Sequence, residues 1–487
     1  MWLIPSAVGV AVVVMAGTVW ASVSLVDFGG PQPESVLPAN SVAFGRLDLS
    51  IDGSQAIDLL GFVDRLPDEL TEEMNEPSED MTATFAEGFV EVFPEASQSE
   101  VEEWIGERVG FSVWPSTDEE ASLGVGAAFA VAVAVTDETL AEENLSDLVS
   151  VQDGLAYEMV DGFAVLTDND AALRDRTRQM EAHGALADDD VFSGDLSDVP
   201  GGSLAVAWAD VSGALATGEL ATELELDGVG DFDGRMTASV RVDGDYLEAR
   251  MDAFAFQMEG TDVGWLSGTP GASVDAMASL PESTIVAVGA AGLDQALIDA
   301  YDSGELPLSG EERADMEATF DAWGAPLPGG FTSLLGSSST LGITSMDLNG
   351  LFNQSTYYGG FENPADEAFS FVYRAVGADE QVLDTFVEQS ATDPYSDPPS
   401  VTAEGDTVVV SQGASAAGSL GDDPVFQQTM QDMDDAVIAG FFDLRQALEG
   451  TDVADASQWG ALGLAVSVTE DGRRSSLELR WAPSGGG

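Results

Sequence analysis

The sequence predicts an α+β protein: two tandem, diverged copies of a module in which an antiparallel sheet carries helices on one face, behind one N-terminal transmembrane helix. Three observations predict it. Apolar strand-like runs meet at tight turns, Asp161-Gly162 and Gly405-Asp406, which forces the joined strands antiparallel. The same elements recur in the same order along both halves of the chain. Met1 to Val26 holds no charged side chain, and about 20 apolar residues suffice to span a bilayer.

Residues 1–27 are expected to be a transmembrane anchor. A secretory signal is the competing reading, with Val19-Trp20-Ala21 as a cleavage pattern, but the apolar stretch exceeds a usual signal core of roughly 7 to 15 residues. The first basic residue is Arg46, so the positive-inside rule has almost nothing to count. A lone N-terminal apolar segment then places the bulk of the chain outside the cytoplasm, on the cell membrane. Residues 28–36, with Gly29-Gly30-Pro31-Gln32-Pro33, read as a spacer.

Module 1 is expected over 37–265, a linker over 266–278, module 2 over 279–482 and a flexible tail over 483–487. Each module opens on a Pro-led turn into an apolar strand, Leu37-Pro38-Ala39-Asn40-Ser41-Val42-Ala43 in one and Leu280-Pro281-Glu282-Ser283-Thr284-Ile285-Val286 in the other. Helices follow over 55–65 and 293–301. Trp104-Ile105-Gly106 before a strand at 109–114 corresponds to Leu334-Leu335-Gly336 before one at 340–346. The strand at 129–135, followed by Asp137-Glu138, corresponds to that at 369–376, followed by Asp379-Glu380; acids suit a helix N-terminus. Leu186-Ala187-Asp188-Asp189-Asp190-Val191-Phe192 matches Leu420-Gly421-Asp422-Asp423-Pro424-Val425-Phe426 at five of seven positions. Each copy closes with an apolar strand and a terminal hairpin, over 236–254 and 462–481. The seam runs through Gly268-Thr269-Pro270-Gly271.

The opening Leu37 to Phe44 with Leu47-Asp48-Leu49, the segment Trp104-Ile105-Gly106-Glu107-Arg108-Val109, Gly162 to Asp168 and Leu186 to Phe192 together resemble a bacterial family. It is the family catalogued as domain of unknown function three-three-five-two, mainly actinobacterial and anchored by a single transmembrane helix. The chain departs from its pattern at Asn40, where the family usually has Asp, and at Phe44, where it often has Tyr. The resemblance implies an anchored, exported protein and no catalytic residue.

The chain has 15 basic residues, all Arg, against 88 acidic ones, a formal net charge of -73. Such a surface suits a saline habitat, where about 1 M salt shrinks the Debye length to about 3 Å. It excludes nucleic acid as a partner, because the basic footprint is missing. Without Cys there is no disulfide or thiolate, and without Lys no phosphate-loop lysine or Schiff base.

His183, the single histidine, ends a helix over 170–183, where its charge suits the C-terminal carbonyls; a triad built on it is the lesser reading. The carboxylate clusters Asp118-Glu119-Glu120, Asp188-Asp189-Asp190 and Asp227, Asp231 and Asp233 lack calcium-loop spacing. Met81, Phe85, Phe89 and Phe93 form a helical stripe that reads as core, with an apolar-ligand groove as the alternative. Asn144 and Asn353 sit in glycosylation patterns. No catalytic, cofactor-binding or metal residue is nominated. The expected function is a non-enzymatic envelope ectodomain that binds a partner protein or ligand, with a carboxylate-based hydrolase or metal-dependent enzyme and a lipid-binding protein as alternatives.

Overall fold

The computed structural model describes residues 32–49, 61–68, 81–217, 232–258, 261–346, 369–390, 399–413 and 417–485, apart from single positions within these ranges, together with residues 59, 70 and 222. The expected anchor, residues 55–58 and 60 of the helix expected over 55–65, Asp227, Asp231 and Asn353 lie outside the described residues. Among the described residues no helix is long and apolar enough to cross a membrane. The chain divides into two compact units, one of Met1–Asp64 and Leu70–Gly260, the other of Arg65–Glu69 and Thr261–Gly487.

The first unit is an antiparallel sheet of β1 (Ala43–Asp48), β2 (Ile105–Pro115), β3 (Ala127–Val135), β4 (Ala156–Val160), β5 (Phe163–Thr167), β6 (Ala205–Asp210), β7 (Phe232–Asp243) and β8 (Tyr246–Met258). Its order is β4-β5-β3-β2-β1-β6-β7-β8. Tight turns set the hairpins. At the β4–β5 turn Asp161 (φ 48) and Gly162 (φ 82) both take the left-handed conformation that a two-residue hairpin loop needs.

Helices cover both faces, not the single face expected. The reason lies in β3 and β5: every residue of Phe163–Thr167 is buried, and Ala127–Val135 is apolar on both sides. A strand without polar alternation needs cover above and below. On one side α4 (Asp170–His183) and α5 (Asp190–Leu196) enclose Phe44, Trp114, Phe163, Leu186, Phe192 and Trp208. On the other, α1 (Met81–Val92), α2 (Gln98–Trp104) and α3 (Glu138–Val151) enclose Phe89, Trp104, Leu145, Val133 and Leu166. A short α6 (Val211–Ala216) follows β6.

The second unit contains β9 (Val286–Ala291), β10 (Ser338–Met346), β11 (Phe369–Val376), β12 (Ser400–Glu404), β13 (Thr407–Gln412), β14 (Ile438–Asp443), β15 (Ala461–Val468) and β16 (Arg474–Ala482). They pair in the order β12-β13-β11-β10-β9-β14-β15-β16, the same path as in the first unit. Its helices are α7 (Ser273–Ala278), α8 (Leu293–Ser303), α9 (Gly310–Ala322), α10 (Gly330–Leu335), α11 (Glu380–Ser390), α12 (Pro424–Thr429) and α13 (Leu444–Ala447). The segment 266–278, expected as a linker, instead belongs to this unit: Leu266, Val274 and Met277 are buried, because apolar residues at helical spacing in α7 dock on the sheet. The end of the expected spacer is likewise folded, as a 3-10 helix over Pro33–Ser35.

The matched sequence segments occupy matched places. Leu186 N–H donates to the Leu37 carbonyl and Leu420 N–H to that of Leu280, both at 2.8 Å, with all four side chains fully buried. The Ser41 hydroxyl donates to the Pro38 carbonyl, and that of Thr284 to the Pro281 carbonyl. Asp137 caps Thr139 and Leu140 as Asp379 caps Gln381 and Val382. In the ladders Ala43 faces Val113 and Ala209, while Val286 faces Ile343 and Phe442. Phe129 and Phe371, facing Val113 and Ile343, therefore correspond, two residues later than the strand start at 369 suggested.

Candidate functional site

The first unit holds a cleft of about 410 Å³, built where β1, the 3-10 helix Pro33–Ser35 and the α5–β6 connection converge. Alternation along β1 puts Phe44, Arg46 and Asp48 on one face of the sheet. Phe44 packs edge-on against Phe192 at 5.1 Å between centroids, leaving Arg46 and Asp48 toward the cleft. Gly45, facing the other way, lies under the Phe111 ring, so close that a Cβ there would meet Cε1 at 2.0 Å.

Arg108 stands directly across the ladder from Asp48 and donates through Nε to its Oδ1 at 2.7 Å, with both side chains about 95 % buried. Arg46 is used more loosely. Its Nη1 donates to Gln32 Oε1 at 3.2 Å and Glu34 Oε1 at 3.4 Å, while Nε lies 3.9 Å from Asp48 Oδ2. Glu34 Oε2 is buried without a hydrogen-bond partner, as is Arg46 Nε. Val206, the ladder neighbour of Arg46 on β6, lines the cleft beside it, and the helix-side wall comprises Phe192, Leu196 and Val199, with Ser193, Ser197 and the Pro200-Gly201-Gly202-Ser203 turn at its rim.

The corresponding positions of the second unit carry no charge. By ladder register Arg46 and Asp48 stand where Gly289 and Ala291 stand, and Arg108 where Ser338 stands. Counting back from Leu37 and Leu280, Glu34 answers to Met277, which is fully buried against Gly289.

The residues singled out in the sequence do not meet in this cleft. His183 is exposed at the end of α4, followed by Gly184 with φ 88. Asp118 caps Glu120 and Ala121 and pairs with Arg178 at 2.8 Å, and Asp189 caps α5. Among the described residues no His, Cys, Asp or Glu group is placed to hold a metal ion. Phe89 packs against Phe85, Phe93 and Trp104 in the core. Asn144 lies in α3, its amide donating to the Leu140 carbonyl. Sequence reasoning missed Arg46, Arg108 and Glu34; the available signal was that two of only 15 cations lie within strand-like apolar runs of the first half of the chain.

A second carboxyl stands apart. Asp168, between β5 and α4, is 7 % exposed and neither carboxylate oxygen has a hydrogen-bond partner. Burial pushes it from 3.8 up to about 6. The folded state therefore holds this proton at a pH where the unfolded chain has released it, so the contribution of Asp168 to stability is fully present below about 3.8 and is lost as pH rises through about 6. Asp168→Asn is expected to raise stability at pH 7 by about 1–3 kcal/mol and to flatten the pH dependence between these values, as read by thermal melting. An unchanged profile would refute this.

In the second unit an apolar row crosses the sheet through Leu341, Val288, Gly440, Leu464 and Leu479, neighbours on successive strands. Leu341, Val288 and Leu479 are exposed there. No family model, no curated protein and no solved structure matches the chain.

Proposed function

We propose that the protein is a non-enzymatic, membrane-anchored extracytoplasmic binding protein, built from two diverged copies of one module, of which the first carries the ligand site. The duplication is supported by the shared strand order and by the matched turns, caps and ladder positions. The observation that carries the binding reading is the charged cleft itself. Glu34, Arg46, Asp48 and Arg108 sit where the second copy has Met277, Gly289, Ala291 and Ser338, so the strand order the two units share does not depend on charge at these positions. The anchor rests on the uncharged run Met1 to Val26 and on the family resemblance. Asp168, the carboxyl that burial pushes up to about 6, is not among the residues lining the cleft.

The test is mass spectrometry of the small molecules that co-purify with detergent-extracted full-length protein in high salt. Wild type is expected to fractionate with membranes and carry a small polar molecule that Leu196→Trp, which fills the cleft, loses. A lipid retained equally by both proteins would instead favour the apolar row of the second unit.

A further inference from the structure

We infer that the cleft of the first unit takes a small zwitterion with an apolar side chain, an amino acid or dipeptide presenting an ammonium and a carboxylate. This rests on the reading of the cleft as a binding site.

The polar wall has one unused acceptor and one underused donor set side by side. Glu34 is 8 % exposed, and its Oε2 is buried with no hydrogen-bond partner. Buried carboxylate oxygens are ordinarily satisfied, so this one calls for a donor. Arg46 makes its two long hydrogen bonds through Nη1, while Nε, 3.9 Å from Asp48 Oδ2, makes none. A guanidinium is a planar fork matched to a carboxylate, and here much of that fork is unoccupied. Arg108 is already committed to Asp48 at 2.7 Å.

Charge balance then decides between ligand classes. Two arginines and two acids sum to zero. A lone anion on Arg46 would leave Glu34 Oε2 without a donor and add like charge beside it. A lone cation on Glu34 would lie next to Arg46 and leave that fork empty. Only a ligand with a donor cation and an acceptor anion a few bonds apart answers both groups. Phe192, Leu196 and Val199 offer an apolar wall, with Val206 beside Arg46 in the sheet, and about 410 Å³ suits a molecule of this size.

Calorimetry on the full-length, detergent-solubilised protein, in salt that keeps it folded, tests this with L-leucine, N-acetyl-L-leucine and L-leucinamide. L-leucine is expected to bind at least about 10-fold more tightly than either single-charge analogue. Glu34→Gln should weaken L-leucine about 10-fold while leaving N-acetyl-L-leucine unchanged, and Arg46→Gln should weaken it while leaving L-leucinamide unchanged. The comparison of the three probes on wild type stands even if a variant fails to fold. If N-acetyl-L-leucine or octanoate bound as well as L-leucine, and Leu196→Trp abolished that binding, the zwitterion assignment would be overturned and the cleft kept. If none of the four probes bound, or if Leu196→Trp left their binding intact, the cleft reading would fall with it.

Discussion

Asp195→Ala is expected to destabilise the first unit by about 2–4 kcal/mol, the cost of stranding buried partners of a carboxylate. Asp195 is 5 % exposed. Its Oδ2 accepts from Trp208 Nε1 at 2.9 Å and from Arg235 Nε at 2.6 Å, and its Oδ1 accepts from Arg235 Nη2 at 3.1 Å. Truncation leaves the indole N–H without an acceptor beside Phe192, whose ring packs edge-on on Trp208 at 5.4 Å. Arg235 is partly exposed, with 31 % of its side chain open, so its charge regains water and the larger share of the loss falls on Trp208. Asp195→Asn keeps an acceptor for the indole and should cost about half as much. Urea unfolding followed by tryptophan fluorescence measures both; a loss below about 1 kcal/mol for the alanine variant would remove the argument.

Transfer from 1 M to 0.01 M salt is expected to unfold the protein. The formal charge of -73 leaves most carboxylates without a cation, and several arginines already serve two acids, as Arg445 serves Asp423 and Asp443. Screening over about 3 Å at 1 M becomes about 30 Å at 0.01 M, a distance that brings carboxylates across a whole unit into mutual repulsion. The margin to be overcome is only about 5–15 kcal/mol. Circular dichroism and melting temperature follow the transition. Identical melts at the two salt concentrations would discard salt dependence.

Much of the fold was legible because it depends on local chemistry. Asp161-Gly162 specifies a tight hairpin wherever it occurs, Asp137, Asp189 and Asp379 cap the helices they precede, and Asp170–His183 is bounded by Asn169 and Gly184. The placement of helices on both faces was harder to read. Continuous burial of Phe163–Thr167 is written in its apolar run, but which helix covers which side depends on contacts distant in sequence. Segment 266–278 misled for a related reason: its Gly and Pro content reads as a linker, and only packing reveals that Val274 and Met277 are core.

The candidate cleft was not legible at all. Glu34 lay in what read as a spacer, and Asp48 and Arg108 stood in segments that carried the family resemblance without a role for either. Arg108 is 60 residues from Asp48 along the chain and opposite it in the sheet. Sequence by itself determined the antiparallel α+β character, the ordered recurrence of turns and caps, the acidic surface and the chemistries excluded by the missing Lys and Cys, because each depends on composition or on neighbours a few residues apart. Tertiary structure alone decided which of 15 arginines are buried, which carboxylate oxygens are left without donors and where the first unit is charged at ladder positions that are uncharged in the second. Those properties arise from strand register and desolvation, which join residues that the sequence keeps apart.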